Sequence, residues 1–160
     1  MGSDVADLER RLAALEDERG VLDLLYRYGQ AIDYGLEEEW ADCFAPDGVF
    51  EMRHRKGADG VTSTSGRWDA TDRRFDGHAA LLDFVRHHTR APAVYHKHVV
   101  VEPRITVTGD RATVASYFMF VHESDGEPRV GSFGRYLDRV VRGADDRWRF
   151  AERVAEIEVS

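Results

Sequence analysis

Apolar residues near the start of the chain recur at helical spacing. They are separated by three, four and three positions, with charged residues between them: Val5, Leu8, Leu12 and Leu15. This period predicts an amphipathic helix from Ser3, whose stripe packs on its own domain or against a second copy. Gly20 is expected to interrupt it, so we predict a second helix over residues 21–34 that ends at Gly35.

After a short third helix over residues 37–44 and a turn at 45–48, the period changes from 3.6 to 2. A first strand is predicted over residues 49–53, and a long hairpin loop over residues 54–77. One more helix starts at Gly77. The rest of the chain is predicted to form strands joined by turns at 109–110, 125–126 and 144–146: residues 94–107, 111–123, 130–142 and 147–159.

Helices followed by a meander of four strands predict an α+β domain. We expect one curved antiparallel sheet wrapped around the N-terminal helices. A single domain should span residues 1–160, with residues 1–18 as a helical extension. Both faces of segment 111–123 are mostly apolar, so this strand is expected between two others.

The final strand is expected to be apolar on both of its faces. Strand alternation separates two sets, with Trp148, Phe150 and Val154 on one side and Ala151, Ala155 and Ile157 on the other. One of these faces must be covered by another surface. The pattern therefore predicts a homodimer or homotrimer.

Composition narrows the classes of partner. The chain has 22 basic and 30 acidic residues, and its net charge of −8 disfavours nucleic acid and anionic membrane surfaces. No apolar run approaches the roughly 20 residues of a bilayer span, and no secretory signal is evident, so we expect a cytoplasmic protein. The lone Cys43 is expected to be a small buried residue.

Candidate chemistry begins on the second predicted helix. Asp33 lies at the edge of the apolar stripe and in the last turn, where burial and the helix dipole both raise the pKa of a carboxyl group. It is either a poised acid–base residue or a cap or ion-pair partner. Tyr28 projects from the other side of the apolar stripe. It either donates a hydrogen bond into a cavity below the helix or is an ordinary core residue.

Histidines on a predicted strand are a second group of candidates for acid–base chemistry. His96 and His98 share one strand face, and an apolar stretch begins directly after His98. His98 is either a proton acceptor or a core histidine whose hydrogen bonds are satisfied within the protein. No third ligand follows at a telling spacing, so no metal site is predicted. His87 and His88 lie near a helix end and are expected to be exposed. Arg153 faces the interior and would need a carboxylate or an anionic ligand there.

Short motifs follow one another along the chain: LLYRY at 24–28, AID at 31–33, WADCFAPDGVF at 40–50, GH at 77–78, GDRA at 109–112, SY at 116–117, GRY at 134–136 and WRFA at 148–151. Through the order and spacing of these motifs, the chain resembles SnoaL-like proteins of the NTF2-like superfamily over residues 18–157. The resemblance implies a cone-shaped α+β barrel around a deep apolar pocket. It also implies cofactor-free lyases, dehydratases or isomerases that act on hydrophobic, often polycyclic molecules.

In the branch that includes scytalone dehydratase, the bile-acid dehydratase and hexachlorocyclohexane dehydrochlorinase, a His–Asp dyad abstracts a proton. The resemblance implies this role for His98 and Asp33, with Tyr28 as a catalytic tyrosine and Arg153 as an active-site arginine. Glu102 stands where many relatives have Asn. No cofactor is expected.

Two functional hypotheses stay open at this point. The first is an enzyme in which His98 and Asp33 remove a proton, and the second is a non-catalytic ligand-binding or assembly subunit with the same fold. Trp68, Tyr117 and Phe118 are further candidates for substrate binding. In the loop at 54–77, Trp68 or Phe75 is expected to close over the pocket, if the loop is not simply a surface hairpin.

Overall fold

The computed structural model describes residues 2–54 and 73–159, so Trp68 and most of the predicted loop lie outside the described residues. The elements follow the predicted α+β order: α1 (Gly2–Tyr34), α2 (Glu37–Ala41), β1 (Phe44–His54), β2 (Arg73–Asp76), α3 (Gly77–Arg86), β3 (His96–Thr108), β4 (Arg111–Ser124), β5 (Glu127–Arg142) and β6 (Trp148–Val159).

The strands form one curved, unclosed sheet in the order β2-β1-β6-β5-β4-β3. β3 to β6 form the predicted antiparallel meander, with β4 between two neighbours. At the β4–β5 turn, Asp125 and Gly126 have φ values of 56° and 82°, the geometry of a tight two-residue hairpin. β1 pairs in parallel with β6, which the sequence pattern does not predict because these strands are far apart in the chain.

α1 is a single helix of 33 residues, so the predicted break at Gly20 is wrong. A β-carbon on Gly20 would lie 2.6 Å from Cδ1 of Trp148 on β6. The Trp148 ring packs directly on the backbone of Gly20, and the free energy of this contact outweighs the roughly 1 kcal/mol that glycine costs in a helix. Gly20 is therefore a contact point between α1 and the sheet.

The first half of α1 extends away from the packed domain. Residues 4–16 are exposed, including the whole apolar stripe of Val5, Leu8, Leu12 and Leu15. The stripe does not pack on its own domain, and a contact with a second copy stays a prediction. Within the described residues, no helix has both the length and the hydropathy required to cross a bilayer.

β1 starts earlier than predicted. α2 ends at Ala41, and Phe44 already belongs to the strand. The predicted turn at 45–48 is a bulge in β1, opposite one residue of β6. Packing decides this boundary, because the ring of Phe44 lies 5.0 Å from that of Trp40 and 5.3 Å from that of Phe150.

A second bulge changes the predicted faces of β6. Its pairing with β5 skips Ala151, which is an extra residue between Phe150 and Glu152. Phe150 and Ala155 therefore face the core together, although simple alternation separates them. Val154 lies on the outer face beside Glu152. The predicted division of this strand into two apolar sets is wrong.

A buried ion pair lies at the centre of the core. Nε and Nη2 of Arg153 each donate to an oxygen of Asp138 at 2.8 Å, and both side chains are fully buried. The guanidinium carbon lies 4.0–4.2 Å from the centroids of three rings, those of Tyr28, Tyr136 and Phe150. Burial opposes the charge, yet Asp138 keeps the pKa of Arg153 above its ordinary value. The predicted need of Arg153 for a carboxylate is confirmed.

The contact at Gly20 generates a double-mutant prediction. Gly20→Ala should lower the free energy of unfolding by about 1 kcal/mol, because overpacking against Trp148 exceeds the gain in helix propensity. In a Trp148→Ala background the same change should raise it by about 0.5–1 kcal/mol. Urea unfolding of the four proteins measures both values. Stabilisation by Gly20→Ala in both backgrounds would contradict the contact.

The buried pair generates a second prediction. Asp138→Asn should lower the free energy of unfolding by about 3–5 kcal/mol, because it leaves the Arg153 charge without a counter-charge. Asp110→Asn is the matched control, since Asp110 pairs with Arg142 at 3.1 Å but is 79% exposed. The control should change stability by less than about 1 kcal/mol. Equal effects of the two changes in denaturant unfolding would refute a central role of the buried pair.

Candidate functional site

Asp33 on α1 and His98 on β3 are in direct contact. Nδ1 of His98 lies 2.7 Å from Oδ1 of Asp33, and the backbone N–H of His98 donates to both carboxylate oxygens at 3.2 Å. Asp33 is 4% exposed, whereas the His98 side chain is 12% exposed. The strand therefore holds the carboxylate through backbone and side chain, and the carboxylate in turn orients the imidazole.

A glycine lets α1 approach β3 closely enough for this contact. Gly29 lies one helical turn before Asp33, and a β-carbon there would be 3.1 Å from the carbonyl oxygen of His98. A larger side chain would push the helix away from the strand. α1 ends at Tyr34, and the next residue, Gly35, has a φ of 70° that glycine adopts readily, so Asp33 lies in the last turn as predicted.

Two further histidines surround the pair. His96 shares the inward face of β3 with His98, and its Nε2 lies 3.6 Å from Oδ1 of Asp33. His88 follows α3, with its ring centroid 5.3 Å from that of His96 and 5.6 Å from that of His98. The expectation that His88 is exposed is therefore wrong. Its spacing of four from Phe84, against which it packs, is the sequence signal that indicates an inward position.

The imidazole of His96 is buried. Its side chain is fully inaccessible, and within the described residues neither ring nitrogen has a partner. Burial lowers the pKa of His96 to about 4, so the ring is neutral at pH 7. Buried polar groups are normally satisfied by protein, water or a ligand, so these nitrogens require an explanation.

A groove between α1 and β3 gives access to Asp33 and His98. Its volume is about 280 Å³, and its lining includes Leu25, Gly29, Asp33, Lys97, His98 and Val100. The ammonium group of Lys97 lies 4.4 Å above the ring of Tyr34 at the helix end. A small molecule can therefore reach His98 from the open edge of the sheet.

Tyr28 and Arg153 lie in the adjoining core. Tyr28 is 1% exposed, and burial raises its pKa well above the ordinary value, so the phenol stays protonated. The structure thus brings Asp33 to His98 and Tyr28 to Arg153, in two neighbouring clusters along α1. Sequence reasoning missed Asp138, although the expected counter-charge of Arg153 was the signal that pointed to such a residue.

The remaining predicted residues are distributed over both faces of the sheet. Phe118 lies in the core, stacked 4.6 Å from Tyr136. Tyr117 is 59% exposed on the outer face, so it lies apart from Phe118 and does not line the groove at His98. Strand alternation is the reason, since neighbouring residues point to opposite faces. Phe75 packs 4.6 Å from Phe84 at the margin of the core, and Trp68 lies outside the described residues.

Asp33, His96 and His98 also form a group of metal-ligand type. One ligand atom from each residue lies within 4.8 Å of the other two. The sequence pattern does not reveal this group, because Asp33 lies 65 positions before His98 and only folding brings them together. The site can therefore hold a proton between the carboxylate of Asp33 and the imidazole of His98. Together with His96, these residues also offer ligand atoms that a divalent cation can bind.

Solved structures with this fold cover nearly the whole chain. A protein of unknown function from Mycobacterium tuberculosis aligns with a TM-score of 0.72 and 25% identity, over 91% of this chain and 74% of its own. An NTF2-like protein with a cystatin-like fold from Novosphingobium aromaticivorans aligns with a TM-score of 0.75 and 22% identity, over 94% and 87%. A Catenulispora acidiphila structure in complex with S-DNPA aligns with a TM-score of 0.65 and 29% identity, over 91% and 94%.

Sequence comparison gives the family directly. No curated protein matches the sequence significantly. The profile of the SnoaL-like domain, however, matches residues 13–154, a range that includes Asp33, His98 and Arg153. The chain therefore belongs to the family of SnoaL-like domains.

Proposed function

We propose that this domain abstracts a proton from a hydrophobic small molecule, with His98 as the base and Asp33 as its partner. The reaction is of the lyase, dehydratase or isomerase type. SnoaL-like domains bind or transform small molecules, and this property supports a small-molecule substrate here. The observation that carries it is the 2.7 Å contact between Nδ1 of His98 and Oδ1 of Asp33 beside an accessible groove.

Asp33 fixes the tautomer of His98. A carboxylate accepts hydrogen bonds, so Nδ1 of His98 carries the hydrogen that lies between the two atoms. Nε2 then holds the free lone pair that accepts the substrate proton. When the imidazolium forms, the buried Asp33 anion stabilises it through the same hydrogen bond.

The groove favours an apolar substrate with one polar group. Leu25 and Val100 supply apolar walls, and Lys97 supplies a cation that can attract an oxyanion. The Catenulispora acidiphila relative binds S-DNPA in the same fold, which supports a small organic ligand here. We assign Tyr28 a positioning role, because its ring packs on Arg153 and not in the groove.

Proton abstraction can be tested without knowledge of the natural reaction. In D₂O, the protein should catalyse deuterium exchange at carbon atoms beside the carbonyl of polycyclic ketones, which NMR detects. His98→Ala should slow this exchange by about 10²–10⁴-fold, because the base is lost. Asp33→Asn should slow it by a factor in the same range, because the amide no longer stabilises the imidazolium.

His87→Ala is the matched control, since His87 is 78% exposed and lies outside the cluster. This variant should catalyse deuterium exchange into the ketone at the wild-type rate. Exchange that persists unchanged in His98→Ala or Asp33→Asn would remove the dyad from the mechanism. Ketone binding by the wild type without any exchange would instead indicate a non-catalytic binding or assembly subunit.

We further propose that two copies associate through the outer face of β4 and β5. Met119 and Phe133 are cross-strand neighbours there, and with Tyr117 they are 37–59% exposed. On the adjoining part of this face Arg139 pairs with Glu152 at 2.9 Å, so its charge is balanced within the chain. A second copy would cover the apolar surface without isolating a charge.

Met119→Lys combined with Phe133→Lys should convert this dimer to the 18.2 kDa monomer, because four lysines would meet in the symmetric interface. Sedimentation velocity at micromolar concentration measures the change. Leu8→Glu combined with Leu12→Glu, on the exposed stripe of α1, is the control and should leave the dimer intact. A monomeric wild type would refute association, a trimer would refute the two-copy arrangement, and loss of the dimer only in the helix variant would relocate the interface.

A further inference from the structure

The cluster beneath the end of α1 carries a second chemical property, independent of proton abstraction. It consists of two imidazoles from one strand face and one carboxylate from the facing helix. Divalent transition ions such as Zn²⁺ favour this mixed nitrogen and oxygen donor set, whereas Mg²⁺ and Ca²⁺ favour oxygen ligands alone. The set therefore selects a class of ion.

The distances match those between ligands of one ion. A tetrahedral Zn²⁺ with bonds of about 2.0–2.1 Å separates its ligand atoms by roughly 3.3 Å. Oδ1 of Asp33 lies 2.7 Å from Nδ1 of His98 and 3.6 Å from Nε2 of His96, one separation slightly below and one slightly above that value. Small side-chain rotations would bring both nitrogens to the same ion.

The burial of His96 is the second, independent observation. Its ring is fully inaccessible and both ring nitrogens lack a hydrogen-bond partner among the described residues. The 3.6 Å from its Nε2 to Asp33 is too long for a hydrogen bond, so the carboxylate does not satisfy it. An ion between these atoms would give the nitrogen its missing partner.

We propose that Asp33, His96 and His98 bind one divalent transition-metal ion of the Zn²⁺ class. Three protein ligands leave a fourth coordination position open, as in zinc sites that bind water or a small ligand. The groove along α1 and β3 reaches Asp33 and His98 and gives the ion a path to the site.

Metal binding and proton abstraction exclude each other, a consequence that rests on the proposed function. Nδ1 of His98 carries the hydrogen that faces Asp33, and an ion bound to Nδ1 replaces that hydrogen. Nε2 must then carry the ring hydrogen and can no longer accept a proton from a substrate. Zn²⁺ should therefore inhibit deuterium exchange by the wild type, in proportion to occupancy.

The binding test uses the full chain and does not depend on any reaction. Isothermal titration with ZnCl₂ at pH 7.5 should give one ion per chain, and MgCl₂ should give no binding. His96→Leu should weaken Zn²⁺ binding by about 100-fold or more, because loss of a ligand should exceed the 10–100-fold effect of losing a group that only supports one. His87→Ala should bind Zn²⁺ as the wild type does.

His96→Leu also separates a lost ligand from a lost fold. In EDTA this variant should melt at or above the wild-type temperature, because leucine buries no unpaired nitrogen. Added Zn²⁺ should raise the melting temperature of the wild type but not that of the variant. X-ray absorption of the Zn²⁺-loaded wild type, which needs no variant, should show two imidazole ligands.

The metal site is overturned if the wild type binds no Zn²⁺, if His96→Leu binds it with wild-type affinity, or if the absorption spectrum lacks imidazole scattering. These outcomes are distinct from failure of the proposed function. A protein that binds one Zn²⁺ but shows no deuterium exchange in EDTA keeps the metal site and loses the dyad. A protein that exchanges deuterium but binds no Zn²⁺ keeps the dyad and loses the metal site.

Discussion

The buried charge of Arg153 is the constraint on which the arrangement of this domain depends. An interior guanidinium must have a counter-charge and is stabilised further by aromatic rings, and Asp138 with three rings supplies both. Two of the rings come from the sheet, and the third, Tyr28, comes from α1. The same interaction that neutralises the charge therefore sets the position of the helix above the sheet. Asp33 follows five residues later on that helix.

Two glycines complete the placement of α1. Gly20 lies against Trp148 on β6, and Gly29 lies against the backbone of His98 on β3. The nine helical steps from Gly20 to Gly29 span about 13 Å of helix, close to the roughly 14 Å that separates strands three positions apart in a sheet. The helix thus crosses the sheet from β6 to β3 and touches it at both ends. This geometry delivers the Asp33 carboxylate to the edge strand, where the groove reaches it.

Local periodicity predicts much of this arrangement, and contacts between distant residues decide the rest. The meander and the shared face of His96 and His98 follow from a period of two, which depends only on the strand itself. The break at Gly20 is predicted wrongly because its reason, the Trp148 ring, lies more than a hundred residues away. The bulge at Ala151 likewise depends on pairing with β5, and no pattern within β6 reveals it. The family resemblance pairs Asp33 with His98, whereas the approach of His96 to Asp33 is seen only when β3 faces α1.

His96 shows how the site differs from the core beside it. In the core, Arg153 is a more expensive group to bury than an imidazole, yet the fold surrounds it with a carboxylate and three rings. At His96 the fold buries two polar nitrogens, and the described residues provide neither with a hydrogen bond, a defect of about 1–3 kcal/mol for each unsatisfied group. An apolar side chain of similar size would remove that penalty and still pack against Phe120. Nη1 of Arg153 also lacks a hydrogen-bond partner among the described residues, but Asp138 balances the charge of the guanidinium. At His96 neither ring nitrogen has a partner among the same residues, and Nε2 lies 3.6 Å from the buried Asp33 carboxylate, where a bound ion can supply the missing contact.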